Sequence, residues 1–408
     1  MAKKGELLVG LDIGTSKVAA VVGEVTGGLV TVAGVGSAPC GGLRKGMVVN
    51  IEATVQAIER AVKEAEVTAS CQIHSVFAGI GGTHIKAFNS HGVVAVKNRE
   101  VGPDDVARVL DAARAVALPM DRDVLHVLPQ EFIVDGQDGI KEPLGMSGVR
   151  LETRVHVITT AITSAQNVVK CCQRSGLHVA DLVLAPLGSA EAVLTPEERD
   201  LGVALIDVGA GTTTVLIFNQ GALKHTAVLG LGGNHVTSDI AAGFRTPFRE
   251  AELLKQRHGC AMAQLVGADD SIEVASVGGR TPRVLSRRML AEIIEPRLEE
   301  IFTLAHRQII RCGFEESLAS GVVLTGGGVL VDGVLPLAEQ VFRTSARIAG
   351  PANGHTLPDD AIGPLFATAV GLISYGSRPR DTGVPTTEEK KGFDKVRHRM
   401  VGWIKEFF

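Results

Sequence analysis

Short blocks of apolar residues, separated by polar turns, organise the N-terminal part of the chain. Apolar and β-branched runs at 7–11, 18–22 and 29–35 predict three strands joined by tight turns. Residues 51–66 then carry apolar side chains at the spacing of one helical face. The following run, 74–80, predicts a buried strand. Strands that alternate with helices in this way indicate an α/β protein.

A second block, residues 84–160, has a pattern of its own. Pro103 suits the first position of a helix, and the apolar spacing extends that helix to Leu118. Strand-like runs surround the helix at 92–96, 124–134 and 149–159. The block therefore predicts a self-contained mixed segment inserted into the chain.

The opening pattern returns in the second half of the chain. Residues 203–217 repeat the strand, the Asp-x-Gly turn and the second strand that begin at Leu8. A repeat over so long a distance does not indicate a solenoid; it indicates two similar halves. A third glycine-rich turn, 325–328, ends another apolar run that starts at Gly321.

Composition limits the classes of function. The chain has 408 residues, 45% apolar and 21% charged, with a net charge of −4, which argues against a nucleic-acid-binding face. Six Cys without any C-x-x-C spacing predict reduced thiols, and the His residues show no H-E-x-x-H pattern. No run reaches the about 18 apolar residues of a transmembrane helix, and Asp12 interrupts the N-terminal apolar run. We expect a protein that is neither secreted nor membrane-spanning.

The glycine-rich turns indicate phosphate binding of a particular kind. The chain has no G-x-x-x-x-G-K-[ST] loop, and both Asp-x-Gly turns are followed by extended, β-branched segments rather than by a helix. Phosphates would therefore meet the backbone N–H groups of hairpin turns, aided by small hydroxyl side chains and one lysine. The first turn supplies Gly14, Thr15, Ser16 and Lys17. The second supplies Gly209, Gly211, Thr212 and Thr213.

Asp12 and Asp207 end the two apolar strands at these turns. A carboxylate in such a position is costly unless it faces water or a cation. Mg²⁺ held through waters between two opposed Asp would suit ATP. A plain hairpin is the better explanation of one such turn, but two in matching context, together with the turn at 325–328, favour nucleotide binding.

These motifs resemble those of the actin/Hsp70/sugar-kinase superfamily, in which ATP is clamped between duplicated halves. VGLDIGTSKVAA resembles the phosphate-1 motif, LIDVGAGTTTVLIF the phosphate-2 motif and GVVLTGGGVLVDGV the adenosine motif. The resemblance implies ATP and Mg²⁺ as ligands. It assigns further residues to the nucleotide, including a purine-contacting Glu-x-x-Lys pair: Gly233, Asn234, Glu252, Lys255, Gly326, Gly327 and Gly328.

Within the superfamily the chain is most similar to the FtsA family of bacterial cell-division proteins. GGNHVTSDIA, SVGGRTPRVLSRRMLAEIIEPR, the insertion and the basic, aromatic C-terminal segment carry this resemblance, which covers essentially the whole chain. It implies an α/β, actin-like duplicated ATPase fold in which a subdomain 1C replaces the 1B of actin, followed by a C-terminal amphipathic helix.

The resemblance also implies boundaries. Subdomain 1A would comprise 1–83 and 161–200 with a return helix near 361–376, and 1C would be 84–160. Subdomain 2A would comprise 201–225 and 300–360, and 2B would be 226–299, followed by a flexible linker at 377–391 and the amphipathic helix at 392–408.

One departure from the superfamily bears on catalysis. Actin and Hsp70 place a Gln or Glu in the first connecting helix to orient the attacking water, and approximate alignment puts Ala185 at that position. Without such a group we do not expect fast hydrolysis. We expect ATP to act as a conformational ligand with slow turnover at most, and whether the protein is an enzyme stays open.

The C-terminal segment, residues 392–408, differs in composition from the rest of the chain. Behind a polar, Pro- and Gly-containing linker, apolar and aromatic residues fall on one helical face beside basic residues. This pattern predicts an interfacial membrane helix; a helix docked on the protein's own body or in a dimer is the alternative. The predicted membrane contacts are Phe393, Lys395, Val396, Arg399, Met400, Trp403, Ile404, Phe407 and Phe408.

Other candidates are less specific. Cys171 and Cys172 predict buried thiols rather than a catalytic pair. The arginines between 280 and 297 could form a solvated face. The resemblance instead implies that subdomain 2B binds the acidic C-terminal peptide of the tubulin-like protein FtsZ, with Arg283 and Arg297 at the contact.

The resemblance implies a protein that anchors FtsZ filaments, the Z ring, to the cytoplasmic face of the inner membrane at midcell and helps to assemble the division ring. It also implies self-association into actin-like filaments and contacts of 1C with later division proteins. The nearest alternative is a pilus-assembly ATPase of the PilM type. A small-molecule kinase would need a positioned catalytic carboxylate, and an Hsp70-like chaperone would need a substrate domain; the sequence indicates neither.

Overall fold

A five-stranded sheet forms the centre of the first half in the computed structural model, which describes residues 6–26, 29–276, 281–351 and 363–378. The strands, in spatial order, are β11 (His178–Leu184), β6 (Ser75–Ile80), β1 (Glu6–Ile13), β2 (Lys17–Thr26) and β3 (Leu29–Pro39). The pairs β1–β2 and β2–β3 are antiparallel, whereas β1–β6 and β6–β11 are parallel. The strands predicted in this region are confirmed.

The second half repeats this sheet strand for strand. Its order is β14 (Ala222–Leu229), β13 (Thr213–Asn219), β12 (Val203–Val208), β17 (Val322–Thr325) and β18 (Ala346–Ile348). Here too, three strands pair antiparallel and the last two join in parallel. Strand β12 thus occupies the position of β1, which confirms the duplication predicted from the two Asp-x-Gly turns.

Helices cover the first sheet. They are α1 (Ile51–Ala69), α3 (Ile162–Arg174), α4 (Ala185–Val193) and α10 (Ala367–Ser377). The short helix α5 (Pro196–Leu201) follows α4 and contacts β13 of the second sheet, and a small hairpin, β4 (Leu43–Arg44) with β5 (Met47–Val48), precedes α1. Asn50 caps α1 by accepting a hydrogen bond from Ala53 N at 3.1 Å. The helix continues for about one turn beyond the predicted residue 66 and stops at Ser70, which is left-handed (φ 51°).

Helices α4 and α10 approach each other closely. A Cβ added to Gly371 would lie 1.7 Å from Gly188 O, so the crossing requires glycine. Helix α10 also packs on β1 and β2. Through this contact the last described helix of the chain returns to the first sheet. Cys171 and Cys172 of α3 are buried in the same core, as predicted.

The insertion forms a separate sheet. Its strands, in spatial order, are β7 (Lys86–Ala95), β10 (Arg150–Ala161), β8 (Arg122–Val134) and β9 (Gln137–Ile140), and α2 (Pro103–Arg114) packs against it. The prediction that α2 extends to Leu118 is wrong. Ala115 leaves the helical region (ψ 55°), and Pro119 disfavours helical backbone at the residue before it.

Further elements of the second half lie between β14 and β17 and after β17. They are α6 (Gly233–Phe244), α7 (Phe248–His258), β15 (Ser271–Val274), β16 (Arg283–Ser286), α8 (Arg287–Arg311) and α9 (Val334–Phe342). Ser286 caps α8 through Arg288 N. Helix α8 is continuous across residues 299 and 300, where the prediction separates 2B from 2A.

Across the described ranges, no helix combines the length and apolar character that crossing a membrane requires. The predicted amphipathic helix, and the predicted linker beyond Arg378, lie outside the described residues.

Candidate functional site

Two hairpin turns of the same geometry lie at the ends of β1 and β12. Asp12 and Asp207 stand near the ends of these strands, and each turn is closed by the same backbone hydrogen bond. Gly14 N donates to Lys17 O at 2.9 Å in the first turn, and Gly209 N donates to Thr212 O at 2.9 Å in the second. After each turn the chain continues as an extended strand, which confirms that the turns open hairpins rather than helices.

The turns of the two halves touch each other. A Cβ added to Gly211 would lie 2.7 Å from Thr15 Oγ1, so glycine is required where the second turn meets the first. Thr15 Oγ1 also accepts a hydrogen bond from Gly46 N at 3.1 Å. The two predicted phosphate turns therefore lie side by side where the two halves meet.

The ionised forms of the two carboxylates at these turns are destabilised by burial. Burial raises the pKa of Asp12 to about 6; the charge of Lys17 opposes this shift and that of Asp207 adds to it. Burial also raises the pKa of Asp207, against a hydrogen bond from Ser189 Oγ at 2.7 Å. A cation near both groups would favour their ionised forms.

The number of carboxylates suits a particular kind of cation. Among the residues that the structure describes, no group of three or more His, Cys, Asp or Glu could enclose a metal. Mg²⁺ commonly keeps several of its waters and takes only one or two carboxylates, together with phosphate oxygens. Asp12 and Asp207 fit that pattern.

The third glycine-rich turn packs directly on the second. Gly326 has φ +87°, and a Cβ there would lie 2.6 Å from both Asp207 Oδ1 and Val208 O. A Cβ on Gly328 would lie 2.4 Å from Val208 Cγ1, whereas Gly327 is exposed. A side chain at Gly326 or Gly328 would therefore collide with the end of β12. Glycine thus lets the third turn pack directly on the end of β12.

The predicted Glu-x-x-Lys pair is assembled at the N-terminal part of α6, which lies next to the second turn. Lys255 Nζ lies 2.7 Å from Glu252 Oε2, 2.8 Å from Thr237 Oγ1 and 3.2 Å from Gly233 O. These contacts join α7 to the first two turns of α6. Burial raises the pKa of Glu252, but Lys255 and the hydrogen bonds lower it further, to a net value below the ordinary one.

The first amides of α6 bond to the second turn. Gly233 N donates to Gly209 O at 2.9 Å, and Asn234 N donates to Ala210 O at 2.8 Å. The structure therefore brings Gly233 and Asn234 together with the turn residues, through backbone bonds that fix the turn's shape.

Two of the predicted phosphate ligands make other contacts. Lys17 Nζ donates to Leu365 O at 2.6 Å and lies 4.0 Å from the centre of the Phe366 ring. Thr213 is fully buried, and its hydroxyl donates to Leu231 O at 3.0 Å. Ser16, in contrast, is exposed at the first turn.

The predicted partner-binding arginines lie on other elements and are hydrogen-bonded. Arg283 on β16 donates to Phe244 O. Arg297 on α8 contacts Asp239 through two bonds, Nε to Oδ2 at 2.6 Å and Nη2 to Oδ1 at 3.2 Å, and it also pairs with Glu300.

Ser189 is a site residue that sequence reasoning missed. It is fully buried on α4, donates to Asp207 and lies 2.8 Å from Thr368 Oγ1 on α10. Its one sequence signal is a hydroxyl within the otherwise apolar stretch 184–190, which does not reveal a partner in another half.

The duplicated sheets and the facing Asp-Gly turns define a class, the actin-like ATPase fold. Solved structures agree on this fold. A structure titled "PilM-PilN type IV pilus biogenesis complex" superposes with TM-score 0.66 at 20% identity and covers 91% of this chain and 99% of that one. ADP-bound MreB5 of Spiroplasma citri superposes with TM-score 0.50 at 13% identity, covering 89% and 94%.

Comparisons of sequence identify a family within this fold. The family model "Cell division protein FtsA" matches residues 204–371, and "SHS2 domain inserted in FTSA" matches residues 82–159. Cell division protein FtsA of Pseudomonas aeruginosa is 48% identical over 100% of this chain and 99% of its own length. The chain belongs to the FtsA family of cell-division proteins. The PilM-type alternative is therefore not favoured.

Proposed function

We propose that this chain binds ATP with Mg²⁺ in the cleft between its halves. The observation that carries this proposal is the pair of carboxylates, Asp12 and Asp207, at the ends of equivalent strands beside three glycine-rich turns. The two carboxylates would hold the metal through waters. The MreB5 structure with the same fold is titled as bound to ADP, which supports a nucleotide in this kind of cleft.

In this proposal, different parts of the cleft bind different parts of the nucleotide. The turns at 14–17 and 209–213 would hold phosphates, because glycine lets backbone N–H groups come close to an anion. Gly326, Gly327 and Gly328 would lie against the adenosine, with Glu252 and Lys255 at the purine. Mg²⁺ would supply charge neutralisation of the phosphates, while the protein orients them.

We propose slow hydrolysis at most. Ala185 is the first residue of α4, and its side chain is only a methyl group. This methyl group lies close to Gly79 of β6, since a Cβ added to Gly79 would be 3.3 Å from the Ala185 Cβ. A methyl group cannot orient a water or accept its proton. ATP then acts chiefly as a ligand that holds the two halves in one relative arrangement.

We further propose that the protein tethers FtsZ filaments to the inner membrane at the division site. An acidic FtsZ peptide would dock near Arg283 and Arg297, and residues 392–408 would bind lipid as a peripheral anchor. Self-association into actin-like filaments would multiply these anchors, and the inserted unit would contact later division proteins. Membership of the FtsA family supports this role.

Replacement of Asp12 tests the nucleotide site. Asp12→Ala removes one metal-holding carboxylate, so Mg·ATP affinity measured by calorimetry should fall at least about tenfold, or about 1.4 kcal/mol. Asp269→Ala is the control, because Asp269 is exposed and belongs to none of the turns. Equal affinity of the Asp12 variant and the unaltered protein would contradict the assignment.

A further inference from the structure

A small hairpin next to the cleft carries a cation that the proposed nucleotide site does not include. Its strands, β4 and β5, are joined by Lys45 and Gly46, whose φ values are 50° and 77°. Two successive positive φ values identify a turn of type I′, which suits a two-residue hairpin. Lysine is unusual at such a position, since non-glycine residues rarely adopt positive φ.

The turn is inserted between the two halves. On one side, Gly46 N donates to Thr15 Oγ1 of the first phosphate turn at 3.1 Å. On the other side, a Cβ added to Gly211 of the second phosphate turn would lie 3.1 Å from Lys45 Cα. The Lys45–Gly46 turn therefore contacts the tips of both phosphate turns.

The Lys45 ammonium is available at this point. A Cβ added to Gly230, in the loop before α6, would lie 3.5 Å from Lys45 Nζ, and Lys45 is half-buried. Within the described part of the chain, Lys45 Nζ forms neither an ion pair nor a hydrogen bond. Lys17, the lysine predicted to meet phosphate, is instead bonded to Leu365 O.

We infer that Lys45 provides the cation that contacts the terminal phosphate of a bound nucleoside triphosphate. This inference rests on the proposed function. The glycines at 326–328, proposed to hold the adenosine, pack against Asp207 and Val208 at the end of β12, whereas Lys45 lies at the turn tips, beside Thr15 and Gly211. A polyphosphate that starts at the adenosine and passes the two carboxylates ends at these tips. An ammonium there neutralises the charge that distinguishes a triphosphate from a diphosphate.

The test measures the affinity of the full chain for Mg·ATP and Mg·ADP by calorimetry. Lys45→Gln keeps most of the side-chain length and removes the charge. We expect it to weaken ATP binding at least about tenfold and ADP binding less than about threefold, because a lost charge-assisted contact affects only the ligand that makes it. Arg44→Gln is the matched control: it makes the same charge change one residue earlier on the same hairpin, at an exposed position, and should leave both affinities unchanged.

Two further variants separate charge from turn geometry. Lys45→Arg retains the cation and should recover most of the ATP preference. Lys45→Asn removes the cation but suits positive φ, so it should lose the preference with an intact turn. Equal ATP affinity in Lys45→Gln and the unaltered protein, or an equal loss for both nucleotides, would overturn the inference alone. Absence of ATP binding in the unaltered protein would overturn the proposed function as well.

Discussion

Arg297 has two carboxylate partners on the protein's own surface. Hydrogen bonds to Asp239 raise the pKa of the Arg297 guanidinium, and the charges of Asp239 and Glu300 act in the same direction. The Nε and Nη2 groups face the two oxygens of Asp239, which is the geometry in which arginine binds a carboxylate most specifically. An acidic peptide that uses Arg297 must therefore replace Asp239 or share the guanidinium with it.

Charge reversal at this residue tests the proposed FtsZ contact. Arg297→Glu should abolish binding of the acidic FtsZ C-terminal peptide, because loss of a buried charged anchor typically costs at least about 2 kcal/mol and the new carboxylate would repel the peptide. Fluorescence anisotropy of a labelled peptide measures this, and calorimetry should show unchanged ATP affinity.

Arg307→Glu is the matched control for that experiment, since Arg307 is an exposed arginine of the same helix. Asp239→Asn should tighten peptide binding if Asp239 competes for the guanidinium. Unchanged anisotropy with Arg297→Glu would assign Arg297 to the solvated face that the sequence left as the alternative.

The residues that could be predicted from the sequence are those whose geometry is set within a few positions. Asp12 and Asp207 are recognisable because a strand, a tight turn and a returning strand follow one another directly. The partner of Lys17 is not, since Leu365 lies 348 residues away. The role of Ser189 could not be predicted for the same reason, since Thr368, which contacts it, lies 179 residues further along the chain.

At the scale of elements, α4 joins several parts of the molecule. Its Ser189 contacts the second half through Asp207, and its Glu191 pairs with Arg199 of α5 at 3.1 Å and with Arg378 at the end of α10. Burial raises the pKa of Glu191, but the two guanidinium groups lower it further, to a net value below the ordinary 4.5. The ionised carboxylate is therefore stabilised in the folded chain.

A depressed pKa has a defined consequence for stability. The contribution of Glu191 is present above its ordinary pKa of about 4.5 and is lost as the pH falls through the lower folded-state value. Glu191→Gln should lower the free energy of unfolding by about 2 kcal/mol or more at neutral pH, because it leaves two arginines without their anion. The difference from the unaltered protein should shrink in acid, measured by denaturant titrations at neutral pH and near about pH 4. Glu197→Gln, exposed on α5, is the control; a pH-independent difference at Glu191 would contradict the argument.

Element boundaries were predictable where a local signal exists. Pro103 marks the start of α2 correctly, since proline suits the first helical position. The ends of helices are harder to predict. In α2 the apolar spacing continues past Arg114, but the backbone does not stay helical. Helix α1 runs beyond its predicted end at residue 66 although its last buried residue is Ala65, and it stops only where the left-handed Ser70 terminates it.

At the scale of the molecule, the inserted unit contacts both halves. It follows β6 of the first half in the chain, yet Gln130 Nε2 donates to Leu223 O of β14 at 2.9 Å, and His156 Nε2 lies 3.0 Å from Thr226 Oγ1 of the same strand. Asn89 Nδ2 lies 3.4 Å from Lys224 O. The sequence predicts the insertion as a unit, but its docking on the second half depends on contacts between distant segments. A change in the angle between the halves would alter these bonds.

The proposed membrane anchor follows from sequence, and its strength can be bounded. The seven apolar side chains of the predicted contact face could gain about 1.5–3 kcal/mol each on full burial; they are Phe393, Val396, Met400, Trp403, Ile404, Phe407 and Phe408. Burial at an interface is incomplete, and ordering each residue costs roughly 1–2 kcal/mol, offset in part by helical hydrogen bonds. Basic residues add about 1 kcal/mol each near anionic lipid. One copy should therefore bind weakly, and several copies in one filament should bind far more tightly.

Replacement of Trp403 separates a membrane anchor from a docked helix. Trp403→Glu should release the protein from anionic liposomes in co-sedimentation without lowering its melting temperature, because the predicted linker of about 15 residues would span roughly 20 Å and decouple the segment from the body. His398→Glu, which adds a carboxylate off the predicted apolar face, should release much less. Adding FtsZ and ATP should increase sedimentation of the unaltered protein, since assembly multiplies the anchors. A helix docked on the protein's own body predicts the opposite pattern: Trp403→Glu would lower the melting temperature, and the unaltered protein would have no lipid binding to lose. That outcome would leave the FtsA fold in place but remove the tether from its proposed function.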